Sequence, residues 1–150
     1  MFLECRAGID EVCVGQDQVK IGDALLYAIR EGVYKIVEML VNHANLSGEA
    51  LAGGWGTGEE SSDYSPDISP VILAAHCNQF EILQLLLTRG ATVETPHPLS
   101  CPCDTCQRGF TADSLRYSLR RIHTYRALAS PAWISLTSED PVLTAFKVGL

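Results

Sequence analysis

The chain carries apolar positions at helical spacing in two stretches that follow the same order. Residues 22–44 read "GDALLYAIREGVYKIVEMLVNHA" and residues 69–93 read "SPVILAAHCNQFEILQLLLTRGATV". A shift of 46 positions lays Ala28 on Ala74, Gly32 on Asn78, Ile36 on Ile82, Val37 on Leu83 and Leu40 on Leu86. Each stretch predicts a short helix, a turn at Gly32 or Asn78, which tolerate positive φ, and a second helix with apolar residues three and four apart. An all-α architecture follows.

Helical hairpins of this kind are ankyrin-repeat units. Because turn and apolar positions coincide without a gap, that reading outweighs two unrelated amphipathic hairpins. Ankyrin units recur every 33 residues or so, roughly 13 fewer than here. The excess falls in "SGEALAGGWGTGEESS", residues 47–62, which reads as a flexible surface loop. Trp55 in that loop is expected to fold back onto its own domain rather than dock a partner. Two repeats do not form a stable stack alone, since terminal units need polar caps or neighbours.

Beyond the second hairpin, "HPLSCPCDTC" places His97, Cys101, Cys103 and Cys106 within ten positions. Thiolate and neutral imidazole are the preferred ligands of zinc, and four of them close a tetrahedral structural site. In an extended segment Cys101 and Cys103 point the same way, and a turn through Asp104 and Thr105 returns Cys106. Pro96, Pro98 and Pro102 lower the entropy lost on closing the segment. A disulfide would leave one of the three cysteines odd, and a thioredoxin-like redox site belongs to a βαβ pattern absent here. A zinc hydrolase needs an open metal position and a general base, and Asp104, the carboxylate within the cluster, has no vacancy to serve. The expected cofactor is therefore a structural Zn2+, with no catalytic residues.

The segment "TADSLRYSLRRIHTYRALAS" then predicts a helix capped by Thr111 or Asp113, with Leu115, Leu119, Ile122, Tyr125 and Leu128 at helical spacing. Arg116, Arg120, Arg121 and Arg126 occupy its other faces. This basic surface is expected to be solvated, or paired with the acidic repeats, rather than bound to anionic lipid. His123 is expected to belong to it. Pro131 interrupts the helix, and "TSEDPVLTAFKVGL" predicts another, with Ser138 as N-cap and Pro141 near its start. The pattern stops mid-helix at Leu150, as though a longer helical region continued.

Composition narrows the partners. Of 150 residues 47% are apolar, enough for one small domain. The formal net charge is -7, with 13 acidic against 5 basic residues up to Gly90 and 5 against 6 beyond it. The acidic first part argues against nucleic-acid binding. No stretch of 18 apolar residues suggests a membrane span, and the start "MFLECRAGIDEV" lacks a secretory leader. A chain that remains in the reducing cytosol uses cysteine for metal or burial. Cys5, Cys13 and Cys77 are isolated and read as small buried hydrophobes.

The segments "GDALLYAIRE", "SPDISPVILAAHCN", "PH" followed by "CPCDTC", "DSLRYSLRRI" and "RALASPAWISLTSEDPVLTAF" together resemble the N-terminal cytoplasmic region of the short transient receptor potential (TRPC) channels, most closely the subgroup numbered four and five. The resemblance covers roughly residues 21–150. It implies a parent protein that is a tetrameric, calcium-permeable, non-selective cation channel, with ankyrin repeats and linker helices beneath the plasma membrane. It also implies a cytosolic zinc site at the repeat-to-linker junction, on positions that match His97, Cys101, Cys103 and Cys106. Family members carry two further ankyrin repeats before "GDALLYAIR", residues 1–20 look unrelated or partly related, and no pore is present, so the chain reads as a fragment or truncated isoform. The resulting division is a divergent segment 1–21, two ankyrin-like repeats over 22–95, a zinc-binding loop over 96–110 and linker helices over 111–150. The expected partners are other channel subunits, in a homo- or heterotetramer, and cytosolic regulators. A free-standing ankyrin adaptor is the alternative.

Overall fold

Serine or aspartate followed by proline opens three of the helices, and the same chemistry operates each time. The computed structural model describes residues 21–53, 64–65 and 67–149. Their helices are α1 (21–31), α2 (Tyr34–His43), α3 (Gly48–Ala52), α4 (Pro70–His76), α5 (Phe80–Thr88), α6 (Asp104–Ala112), α7 (Ser114–Leu128), α8 (Pro131–Thr137) and α9 (Pro141–Gly149). No strand occurs among the described residues. Ser69 accepts the Ile72 N–H at 3.3 Å, Ser130 that of Trp133 at 3.2 Å and Asp140 that of Leu143 at 3.0 Å. In each case proline at the first helical position lacks the N–H that would have gone unpaired. The expected cap at Ser138 is therefore corrected to Asp140. Ser138 instead ends α8 in extended backbone.

Both hairpins turn through the same hydrogen bonds. Gly32 and Val33 donate to Ile29 and Ala28 at 3.1 and 3.0 Å, and Asn78 and Gln79 donate to Ala75 and Ala74 at the same distances. Gly32 has φ +71° and Asn78 φ +51°. At the far end of the second helices the register slips by one, because α2 has 10 residues and α5 has 9. There Leu46 donates to Val41 and Ala91 to Leu86, each at 3.1 Å. Fully buried Val41, not Leu40, thus occupies the place of Leu86. Ile36 remains 47% exposed where Ile82 is covered.

Part of the expected surface loop is structured. Ser47 caps α3 through the Ala50 N–H, and Leu51 enters the core with no exposed surface. A Cβ on Gly48 would lie 2.4 Å from the Gly90 backbone, so the insertion is pressed against the end of α5. Trp55, Cys5 and Cys13 lie outside the described residues.

The core runs from Leu25, Ile29, Val37 and Val41 through Leu51, Val71, Leu83 and Leu86 to Ala127 and Ala132 of the linker helices. Every residue from Pro70 to Ala75 is buried, so α4 needs cover on more than one side. α7 packs against α4, and α8 against α5. Small residues Thr124 and Ala127 are the buried positions of α7, and small side chains allow close approach to α4. This sets the helix's rotation. Leu115, Leu119 and Ile122, expected to share one apolar stripe with Tyr125 and Leu128, point outward, with Leu115 69% and Ile122 59% exposed.

His123 is likewise not on a solvated face. Its carbonyl accepts from His76 Nε2 at 2.9 Å, the rings lie 5.7 Å apart, and its own Nδ1 is buried. Asn78 closes the same junction by accepting the Ala132 N–H at 3.3 Å, tying the repeat turn to the start of α8. On the arginine side, Arg116 pairs with Asp67 at 3.4 Å, so the basic helix does meet an acidic residue of the repeats.

Two consequences are measurable. Gly48→Ala must force α3 off Gly90 and should lower unfolding stability by roughly 1–3 kcal/mol in urea titrations. Gly53→Ala, whose Cβ finds its nearest neighbour at 3.3 Å, should cost much less. Burial lowers the His76 pKa from its usual 6.5, and Arg126 adds to this. The unfolded imidazole therefore takes up its proton first on acidification, so stability falls as pH drops through 6.5. Comparing urea midpoints at about pH 7.5 and about pH 5.5 should show a smaller loss in His76→Asn than in the parent chain.

Candidate metal centre

After α5 the chain runs without regular structure from Ala91 to Pro98 and then turns, with the Cys101 N–H donating to Pro98 at 3.0 Å. Cys103 stands in extended backbone at the N-cap of α6, and Cys106 follows in the helix's first turn. Residues three apart on a helical turn share a face, so both sulfurs point back toward the incoming segment. The expected loop over 96–110 is therefore corrected: residues 104–112 are helical, and Cys106 returns by a helical turn.

The four side chains converge on one point. Nδ1 of His97 lies 3.4 Å from the sulfurs of Cys101 and Cys103 and 3.6 Å from that of Cys106. All four ligand atoms lie within 4.8 Å of one another. A tetrahedral zinc ion, with about 2.3 Å to sulfur and about 2.0–2.1 Å to nitrogen, requires an N···S edge of about 3.6 Å. The residues thus fit such an ion. The cysteine thiols are half-buried and unpaired, as is the thiol of Cys77, and His97 is exposed.

The backbone prepares the sulfurs. The Cys106 amide, then the Cys106, His97 and Cys101 side chains, draw the Cys103 thiol down to about 6. At Cys101 the Cys103 amide pulls downward, but the neighbouring thiols and burial outweigh it and leave the pKa raised. Burial pushes Cys77 up, as suits a half-buried thiol packed against the core. Asp104 is exposed, with its carbonyl accepting from Arg108 Nε at 3.3 Å.

Sequence reasoning missed the residues behind this cluster. Arg121 Nη1 donates to the His97 carbonyl, and the Tyr125 hydroxyl donates to the Pro96 carbonyl at 3.4 Å. Tyr117 packs against Gly109 of α6, where an added Cβ would meet its ring at 2.7 Å. The neighbouring Cys106 thiol raises the phenol's pKa. Tyr117, Arg121 and Tyr125 recur every fourth residue, and that spacing was the available signal. It was obscured by the stronger leucine pattern, which faces the other way. A cleft of about 1030 Å³ opens beside the cluster, lined by Glu94, His97, Cys106, Arg116, Arg120 and Thr124 among others.

No helix among the described residues is long and apolar enough to cross a membrane. Residues 67–97 match the ankyrin-repeat family model, and residues 101–149 match the model described as transient receptor ion channel II. The border between the two falls inside the cluster, after His97 and before Cys101. The transient-receptor-potential-like protein of Caenorhabditis elegans is 57% identical over 143 residues, covering 92% of this chain and 14% of the relative. Human short transient receptor potential channel 4 is 48% identical over 130 residues, 87% of this chain and 13% of the channel. Human short transient receptor potential channel 3 is 40% identical over 145 residues, 89% of this chain and 16% of the channel. The chain thus spans well under a fifth of the length of the curated relatives it matches. The chain belongs to the short transient receptor potential channel family and carries the stretch in which ankyrin repeats give way to linker helices.

Proposed function

We propose that this chain is the N-terminal cytosolic scaffold of a calcium-permeable, non-selective cation channel subunit, held beneath the plasma membrane and shaped by a structural zinc ion on His97, Cys101, Cys103 and Cys106. The observation that carries the scaffold reading is the apolar surface that the linker helices turn outward. Leu115, Leu119 and Ile122 of α7 and Val142, Leu143 and Phe146 of α9 are all exposed. Large apolar side chains left exposed on two successive helices mark interaction sites, and the relatives extend far beyond the matched stretch. Other subunits, or the remainder of the same subunit, would cover it. The zinc reading is supported by the near-tetrahedral spacing and by the cluster's place between repeat and linker. There the ion would set the angle at which α7 leaves the repeats. Four protein ligands leave no open position for a hydrolytic water, so the centre acts as a staple.

A free-standing adaptor would use the same surface on an unrelated cytosolic protein. Co-purification with full-length channel subunits separates the two. The chain should be retained by channel subunits, and Leu119→Glu with Ile122→Glu should abolish retention while metal content stays unchanged. Retention that survives both charges would sink the scaffold assignment.

Metal analysis of the purified chain should return one zinc per molecule. Chelation, or Cys103→Ser, should remove it and lower the melting temperature by on the order of 10 °C. A variant that keeps both its metal and its melting point would overturn the ligand set. In the stripped chain Cys103 should be alkylated first, with a rate midpoint near pH 6, while Cys77 reacts slowly. Added zinc should suppress the fast phase, because the thiolate is the species that both reacts and binds.

A further inference from the structure

We propose that Tyr117, Arg121 and Tyr125 of α7 are positioning residues for the metal centre, a three-residue clamp that orients His97 and Cys106 toward a common ion and thereby sets its affinity. The proposal rests on the cluster being a metal site and extends it to side chains that do not touch the ion.

The ligands sit on two arms that would otherwise move independently. One arm is the irregular segment that carries His97, and the other is α6, which carries Cys106. The clamp grips both. On the first arm, two consecutive carbonyls are held from one helix face: Pro96 accepts from Tyr125 at 3.4 Å and His97 accepts from Arg121. Fixing both carbonyls fixes the peptide from which the imidazole projects. On the second arm, Tyr117 lies against Gly109, where no larger residue fits without displacing the ring, and the Cys106 thiol beside its hydroxyl raises the phenol's pKa. Phe110 meets the same ring edge-on, with centroids 6.5 Å apart.

Arg121 joins the two grips. Its guanidinium carbon lies 5.7 Å from the Tyr117 ring centre and 5.5 Å from that of Tyr125, and Nη2 donates to the Tyr125 hydroxyl at 3.4 Å. The fork is thus held between two rings while it addresses His97, a geometry that lysine cannot copy. Charge points the same way. Three thiolates and a neutral imidazole around a divalent cation leave a net negative centre, which an adjacent guanidinium offsets. Groups that orient metal ligands from behind typically change affinity by about 10–100-fold when removed.

The test uses the 150-residue chain, Zn2+ in competition with a chromophoric chelator, and Co2+ as a spectroscopic probe. Tyr117→Phe keeps the ring and removes one hydroxyl. It should weaken Zn2+ binding by about 10-fold and shift the sulfur-to-cobalt charge-transfer band, which a general loss of stability would not move. Arg121→Lys keeps the charge and loses the fork, and should weaken binding by about 10–100-fold. Arg126→Lys, on the same helix but away from the cluster and its cleft, should bind as the parent does. The metal-free helical content of each variant, read by circular dichroism, should match the parent. If Tyr117→Phe and Arg121→Lys bind Zn2+ with parental affinity and an unshifted cobalt band, the clamp is refuted while the metal site stands. A parent chain that binds neither ion refutes the site itself.

Discussion

A helix that is apolar all round must be covered all round, and α4 imposes that condition on this chain. Its six residues from Pro70 to Ala75 are buried, more than the partner helix α5 can account for. The chain meets the demand by bringing α7 back across α4 and laying α8 on α5. Repeats and linker are therefore a single hydrophobic unit, with Leu25 and Ile29 at one end and Ala127 and Ala132 at the other. Two repeats that would be marginal alone gain their missing neighbour from their own downstream sequence.

Bringing α7 back requires a sharp reversal after Ala91, and the reversal is where the histidine and cysteines lie. A chain that leaves one layer and enters another has few backbone hydrogen bonds of its own at the corner. Pro96, Pro98 and Pro102 reduce the freedom to be lost, and side chains supply the rest: carbonyls held by Arg121 and Tyr125, and four ligand atoms at the spacing of a tetrahedron. The histidine–cysteine cluster and the aromatic–guanidinium contacts of α7 address the same mechanical problem from the two sides of one corner.

Covering α4 with the small face of α7 has a cost elsewhere. The bulky residues of that helix are turned outward, and α9 adds Val142, Leu143 and Phe146 to the exposed set. An isolated domain gains nothing from such a surface. These are the residues on which the proposed scaffold contacts rest.

Local chemistry was legible in the residues themselves. Positive φ belongs to Gly32 and Asn78 because few other side chains tolerate it, and the Ser–Pro starts of α4 and α8 follow from capping. Three sulfurs and an imidazole within ten positions were expected to converge on one point, and their ligand atoms do lie within 4.8 Å of one another. These features depend on neighbours in sequence, so periodicity and residue type were enough. What depended on neighbours in space was not. The one-residue slip between α2 and α5, the ordering of α3 against Gly90 and the helical return through α6 each depend on contacts made by distant segments. The leucines of α7 follow a helical stripe that any pattern would assign to the core, yet the helix that packs on α4 buries Thr124 and Ala127 instead. Sequence decided which face of that helix is apolar; packing against α4 decided which face is inside, because steric fit at a helix crossing is a property of both partners at once.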